Sequence, residues 1–209
     1  KIFIADFDGK VWKNVRGLPF NSDAYSVGHP ALSPDNKTLY FVSDMPGGYG
    51  ETDIYKSEFV NGSWSKPLNL GAGVNTKGKE MFPYVDQDGI LYFASDGLPG
   101  YGGLDIFAAK ADATGNYLTV NLGSKLNSQY DDFGYVINNE LLNGYFTSNR
   151  PGGKGLDDNY YFEINKIDLK VTSYDEHTKV IIPGSKIALL GADGKVIDSK
   201  VADKDGLAE

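Results

Sequence analysis

The chain has 209 residues and a net charge of −8, with 26 Gly, 14 Tyr, 11 Phe and no Cys. That length supports one sizeable core, or one domain and part of a second. The acidic balance, with no basic stripe against it, argues against a nucleic-acid partner; the lack of Cys removes disulfides and thiol chemistry; and no apolar run reaches transmembrane length.

Aromatic residues with Gly, and few helix-length amphipathic patterns, point to an all-β protein with many turns. The chain opens at Lys1-Ile2-Phe3-Ile4 inside a predicted strand and shows no leader sequence, so it reads as a segment of a longer protein. Residues 1–28 read as the tail of a repeat. Ile2-Phe3-Ile4 aligns with Ile54-Tyr55-Lys56, Asp8-Gly9 with Asn61-Gly62, Trp12 with Trp64, and Asn21 with Asn75. Asp-Gly and Asn-Gly between strand formers signal hairpins, because both central residues of a type I′ turn need positive φ.

A full repeat follows from about His29 to about Lys79. Pro30-Ala31-Leu32 is a short strand and Ser33-Pro34-Asp35-Asn36 a turn. Thr38 to Ser43 is an unbroken β-prone run, expected for a strand covered on both faces. A Gly-rich loop leads to the alternating strand Ile54 to Phe59. Asn61-Gly62 turns the chain into a last strand, Trp64 to Leu70. Pro67 cannot donate to a ladder, so this strand should lie at an edge.

The central text of that repeat, Leu39-Tyr40-Phe41-Val42-Ser43-Asp44, then Pro46-Gly47-Gly48-Tyr49-Gly50 and Asp53-Ile54-Tyr55, returns 52 residues later. The second copy is Leu91-Tyr92-Phe93-Ala94-Ser95-Asp96, Leu98-Pro99-Gly100-Tyr101-Gly102-Gly103 and Asp105-Ile106-Phe107. Asn121-Leu122-Gly123 repeats Asn69-Leu70-Gly71. A third, looser copy is Gly144-Tyr145-Phe146-Thr147-Ser148-Asn149, Pro151-Gly152-Gly153-Lys154-Gly155 and Asp158-Asn159-Tyr160, with no clear fourth strand. A fixed period of this size marks a repeat architecture, and four antiparallel strands in roughly 50 residues make a propeller blade. In such a meander the Gly-rich loops and the Asn75 and Asn127 loops share one end; the Ser33-Pro34-Asp35, Asp86 to Gly89, Asn61-Gly62 and Asp8-Gly9 turns share the other.

Near Lys166 the texture changes. Predicted strands Ile167 to Tyr174, Thr178 to Ile182, Lys186 to Leu190 and Val196 to Val201, with turns at Asp193-Gly194 and Asp203 to Gly206, read as the start of a small β-sandwich. The expected fold is therefore all-β: residues 1–165 as partial β-propeller blades, the first incomplete, and residues 166–209 as the sandwich.

The three copies, above all Ser148-Asn149-Arg150-Pro151-Gly152-Gly153-Lys154-Gly155, resemble the WD-like (TolB-type) propeller repeats of Bacteroidota envelope proteins. Residues from Ile182 to Leu189, with Asp203-Lys204-Asp205-Gly206, look like a carboxypeptidase-regulatory-like domain. That order is similar to the middle of OmpA-family periplasmic proteins of the PorE type and of partners of PorP/SprF-type barrels in type IX secretion and gliding. The resemblance implies a periplasmic, outer-membrane-associated protein with a barrel or other secretion or motility component as partner. Peptidoglycan would be bound only by a domain outside these residues.

Asp44 and Asp53, Asp96 and Asp105, and Asn149 and Asp158 bracket the three Gly-rich loops at equal spacing. They could hold Ca²⁺ with loop carbonyls, or accept the N–H groups of a tight loop. Recurrence in every blade favours the structural role, so no metal or cofactor is expected. The Gly-rich loops precede strands rather than helices and so are not phosphate cradles. No Gly-x-Ser-x-Gly elbow is present, and His29 and His177 fall in different domains, which points away from nucleophilic catalysis. Tyr49 and Tyr101 hold matched loop positions, joined by Arg150 and Lys154 in the third copy; Tyr and Arg are enriched at interface hot spots. Packing between blades is their alternative role, and is the role expected of Trp12 and Trp64. The expected function is a non-enzymatic scaffold that binds a protein partner through the propeller loop face. The alternative is a hydrolase or lyase acting on glycan or peptide in the central funnel.

Overall fold

The computed structural model describes residues 1–165, 169–190 and 194–208. These contain strands and turns and no helix. They divide into two compact units, Lys1–Ile164 and Asn165–Glu209.

The first unit is a partial β-propeller. It begins with an antiparallel hairpin, β1 (Phe3–Phe7) and β2 (Trp12–Gly17). The first blade is β3 (Val27–Leu32), β4 (Thr38–Ser43) and β5 (Asp53–Val60), with a split outer strand, β6 (Ser63–Trp64) and β7 (Leu68–Asn69), both paired with β5. Pro67 lies in the split, where no N–H is available to continue the ladder. The second blade is β8 (Glu80–Val85), β9 (Leu91–Ser95), β10 (Asp105–Ala111) and β11 (Tyr117–Asn121), in that spatial order. The third has three strands, β12 (Asp132–Asn138), β13 (Asn143–Ser148) and β14 (Asp158–Glu163).

Blades stack through alternating side chains. Leu39, Phe41 and Tyr55 pack towards the leading hairpin with Ile2, Leu18 and Phe20. Val42 and Ile54 pack towards the second blade, against Leu91, Phe93 and Phe107. Tyr92 and Ile106 pack towards the third, against Tyr135 and Phe146. A strand buried on both faces needs consecutive apolar residues, which explains the runs at 39–42 and 91–94. Each fully buried side chain such as Phe41 contributes about 2 kcal/mol.

The first strands carry a feature that is silent in the sequence. Each has a bulge at the same register, and the residue there adopts positive φ: 46° at His29, 54° at Phe82 and 65° at Gly134. The rings of His29 and Phe82 stack at 4.4 Å and those of Phe82 and Phe133 at 4.7 Å. The His29 Nδ1 accepts the Phe82 N–H at 3.3 Å, so this histidine is used in packing.

Trp64 keeps the expected inter-blade role, at the joint with the leading hairpin, whereas Trp12 departs from it. Each stands opposite a phenylalanine in its own hairpin, Phe7 at 4.9 Å and Phe59 at 5.2 Å. Trp64 also touches the core beside the leading hairpin, while Trp12 is largely exposed. The third strand of the third blade forms although Asn159 stands where the other two copies have Ile54 and Ile106: it lies opposite Thr147 within β14.

Among its described residues the second unit has two antiparallel pairs, β15 (Val171–Thr172) with β18 (Leu207–Ala208), and β16 (Lys186–Leu190) with β17 (Val196–Val201). Thr178 to Ile182 is not a strand. Asp175 accepts the N–H groups of His177 and Thr178 and folds the chain into a turn, leaving one bridge between Tyr174 and Ile181. Ile167 of the first predicted strand and Asp193 of the predicted hairpin lie outside the described residues.

Candidate functional site: the loop face of the blades

The loops after β4, β9 and β13 leave the same end of their sheets. Each is closed by the carboxylate that starts the following strand. Asp53 accepts the Tyr49 N–H at 2.6 Å, Asp105 accepts that of Tyr101 at 2.7 Å, and Asp158 accepts that of Gly155 at 3.0 Å. The Gly five residues before each Asp is required by this geometry. A Cβ would lie 2.2 Å from the carboxylate at Gly48, 1.9 Å at Gly100 and 1.8 Å at Gly153.

Asp44, Asp96 and Asn149 do a second job. They accept the backbone N–H of Ser26, Lys79 and Asp131, at 2.6, 2.6 and 2.8 Å, and so tie the end of each second strand to the segment entering the first. The paired acids of each loop thus hold separate backbone groups. Asp53 and Asp105 each keep one buried oxygen, Oδ1, without a hydrogen bond. Among the described residues no three acid or histidine side chains converge as a metal site. Asp86 closes its own hairpin by accepting the N–H groups of Asp88 and Ile90, and Asp203 does the same with Asp205 and Leu207.

Adjacent loops are joined edge to edge. Gly50 presses on the 76–78 segment, where a Cβ would lie 2.4 Å from the Thr76 carbonyl oxygen; Gly102 does the same to residues 128–129. Two buried asparagines complete the joints. Asn75 brackets Ile54, accepting its N–H at 2.8 Å and donating to its C=O at 2.9 Å; Asn127 brackets Ile106 at the same distances. Asn21 brackets Ile2 in the leading hairpin. The sequence placed these asparagines in loops without giving them a task; the signal was the repeated Asn-Leu-Gly-x-x-x-Asn text.

Glu80 and Asp132, the first residues of β8 and β12, are fully buried carboxylates that sequence reasoning missed. Glu80 accepts from Thr76 and Ser95, and burial pushes its carboxyl above the ordinary range. Asp132 accepts the N–H and hydroxyl of Ser128 and pairs with Arg150.

Arg150 therefore departs from the expectation of a free interface residue. Its guanidinium also donates to the Leu126 carbonyl and Ser148 Oγ and lies 5.0 Å and 5.2 Å from the ring centres of Phe146 and Tyr160. It anchors the third loop from inside. Tyr49 and Tyr101 are each 52% exposed, and Lys154 is exposed at the matching position. Leu156, beside Lys154, is 92% exposed and was not singled out from the sequence. The platform is thus a row of loops with internally bonded stems and exposed aromatic, basic and aliphatic tips.

No protein-family model matches the chain, and no curated protein matches it. A solved structure of TolB from Acinetobacter baumannii is similar at 20% identity with a TM-score of 0.46; the likeness takes in 98% of this chain and 46% of that one. The chain thus spans less than half the length of that protein.

Proposed function

We propose that this chain is a non-enzymatic interaction module whose propeller loop face holds a protein partner. One observation carries the reading. The carboxylate that closes each Gly-rich loop binds the backbone N–H of Tyr49 or Tyr101, so each exposed ring stands on a fixed stem. Rigid aromatic anchors gain contact area at little entropic cost, and this is what binding hot spots use. Lys154 and Leu156 extend the row.

The family resemblance of the repeats supports a finer reading: a periplasmic scaffold at the outer membrane, bound to a PorP/SprF-type barrel or another secretion or motility component. The second unit is then a carboxypeptidase-regulatory-like domain. The acids of the loops are read as architectural rather than as Ca²⁺ ligands, since each accepts a loop or strand N–H group through one of its oxygens.

The competing enzymatic reading needs convergent titratable groups in a pocket. The groove of about 500 Å³ between the first strands is walled by His29, Pro30, Phe82, Tyr84, Tyr135 and Val136. Its histidine is committed to Phe82, and burial lowers the imidazole's proton affinity.

The test is co-purification of the tagged full-length protein from native envelopes. Tyr49→Ala/Tyr101→Ala/Lys154→Ala is expected to melt like the parent and to bind its envelope partner at least about tenfold more weakly. Equal capture by the triple variant, or hydrolysis of envelope glycan or peptide by the pure chain, overturns the proposal.

A further inference from the structure

Among the described residues the third blade has no outer strand like those of its siblings, and it retains the receptor for one. Among the described residues nothing pairs with the outer edge of β14. In the first blade the outer strand places Asn69 opposite Tyr55, and in the second Asn121 stands opposite Phe107. Leu70 and Leu122 then donate their N–H groups to the carbonyls of Ile54 and Ile106, both at 3.1 Å. A tight turn follows, with Gly71 and Gly123 bonded to the preceding asparagine, and Asn75 or Asn127 brackets the same Ile backbone. The whole element reads Asn-Leu-Gly-x-x-x-Asn in both blades.

On β14 the corresponding positions are Asp158, Asn159 and Tyr160. By register the N–H and C=O of Asn159 face the open edge, as those of Ile54 and Ile106 do towards their outer strands. The notch is preserved as well. Gly50 and Gly102 are pressed by the segment around the bracketing asparagine, whereas a Cβ on Gly155 would meet nothing nearer than the Asp157 carbonyl oxygen, 3.3 Å away. Gly155 has the space of an interface glycine without the neighbour.

We propose that the open edge of β14 is a docking site for an extended segment of Asn-Leu-Gly-x-x-x-Asn text, added antiparallel as a fourth strand. The incoming first asparagine stands opposite Tyr160, its leucine N–H meets the Asn159 carbonyl, and its second asparagine brackets the Asn159 backbone. Main-chain bonds give affinity to such an addition, and the side-chain positions give specificity. A second copy pairing β14 with β14 would offer no such bracket and would bring Asp158 and Glu163 to the same edge.

The probe is a peptide copying residues 117–128, Tyr117 to Ser128, labelled and titrated into the full chain. Saturable binding is expected, with hydrogen-exchange protection of the Asn159 and Tyr161 amides. The peptide with alanine at the second asparagine should bind about tenfold more weakly or worse, since it loses a paired acceptor and donor. Gly155→Val fills the notch on an exposed loop, and should leave folding intact while abolishing binding. Absence of binding, equal affinity of the alanine peptide, protection away from β14, or dimerisation of the chain through β14 each overturns the proposal.

Discussion

Asn75→Ala tests how the blades are joined. Asn75 is 2% exposed and makes three bonds: it accepts the Ile54 N–H at 2.8 Å and donates to the Ile54 C=O at 2.9 Å and to Asn69 Oδ1 at 2.8 Å. The two acceptors have other donors, Leu70 N at 3.1 Å and Gly71 N at 2.9 Å. The Ile54 N–H has none, and Ile54 is fully buried. Alanine therefore orphans one buried donor and removes two further bonds, a loss of about 3–4 kcal/mol. At about 2–4 °C per kcal/mol for a chain of this size, the melting temperature should fall by about 10 °C. Urea unfolding followed by far-UV circular dichroism gives the free energy directly. Asn75→Asp keeps the acceptor but sets a carboxylate against two oxygens, and should be no milder. Asn127→Ala should repeat the loss, and Asn116→Ala, on an exposed turn, should not. A cost under about 1 kcal/mol for Asn75→Ala, the level of an ordinary exposed site, would refute the bracket as the joint.

Gly50→Ala and Gly102→Ala should each destabilise by about 1–3 kcal/mol in the same assay, because the new Cβ meets backbone that cannot yield; Gly155→Ala should stay within about 0.5 kcal/mol. Arg150→Met leaves the fully buried Asp132 carboxylate without its cation and should cost about 3 kcal/mol, with Asp132→Asn in the same chain restoring part of it in thermal melts. Burial holds the His29 imidazole below its ordinary value of 6.5, so the unfolded chain takes up the proton first. Its contribution to stability is present above that value and is lost as pH falls through the folded one; His29→Phe should flatten this part of the acid limb of a melting-temperature profile. Glu80 runs the other way. Its raised carboxyl binds a proton more tightly when folded, so its contribution grows as pH falls from neutral towards 4.5, and Glu80→Gln should remove that slope.

The blades were legible because their signals are local. Asn61-Gly62 needs positive φ, runs such as Leu39 to Val42 need two covered faces, and the period itself exposes the repeat. What sequence could not supply is direction. Arg150 sits in an exposed type of loop, yet its side chain turns inward because Asp132, 18 residues earlier, is buried without another cation. Asn75 and Asn127 were visible as repeated letters, but their partners are backbone groups 21 residues away that carry no letter. The positive φ of His29 and Phe82 is invisible because neither residue favours it; stacking across three strands holds it. Leu156 was passed over because nothing in the repeat predicts a side chain there.

Equivalent positions in the repeat act as a ruler for the two outward-facing sides of the propeller unit. Phe3 of the leading hairpin matches Tyr55 and Phe107, yet it is 61% exposed where they are 4% and 3%. It keeps the apolar chemistry of a blade-to-blade joint. The third blade differs. Asn159 stands where Ile54 and Ile106 are buried, and Thr147 stands where Val42 and Ala94 are; the Thr147 hydroxyl bonds the Asn159 side chain at 2.9 Å. Tyr145 and Tyr161 lie on the same side, and the Tyr161 hydroxyl bonds Glu163 at 2.7 Å. This face bonds its polar groups to one another, and at Asn159 and Thr147 the equivalent positions of the first two blades are apolar and buried. The edge of β14 beside it keeps the Asp, the notch glycine and the outward backbone of a strand receptor. Blade stacking and strand addition are therefore chemically separated at the third blade: its face is finished with polar groups, and its edge is left open for one more strand.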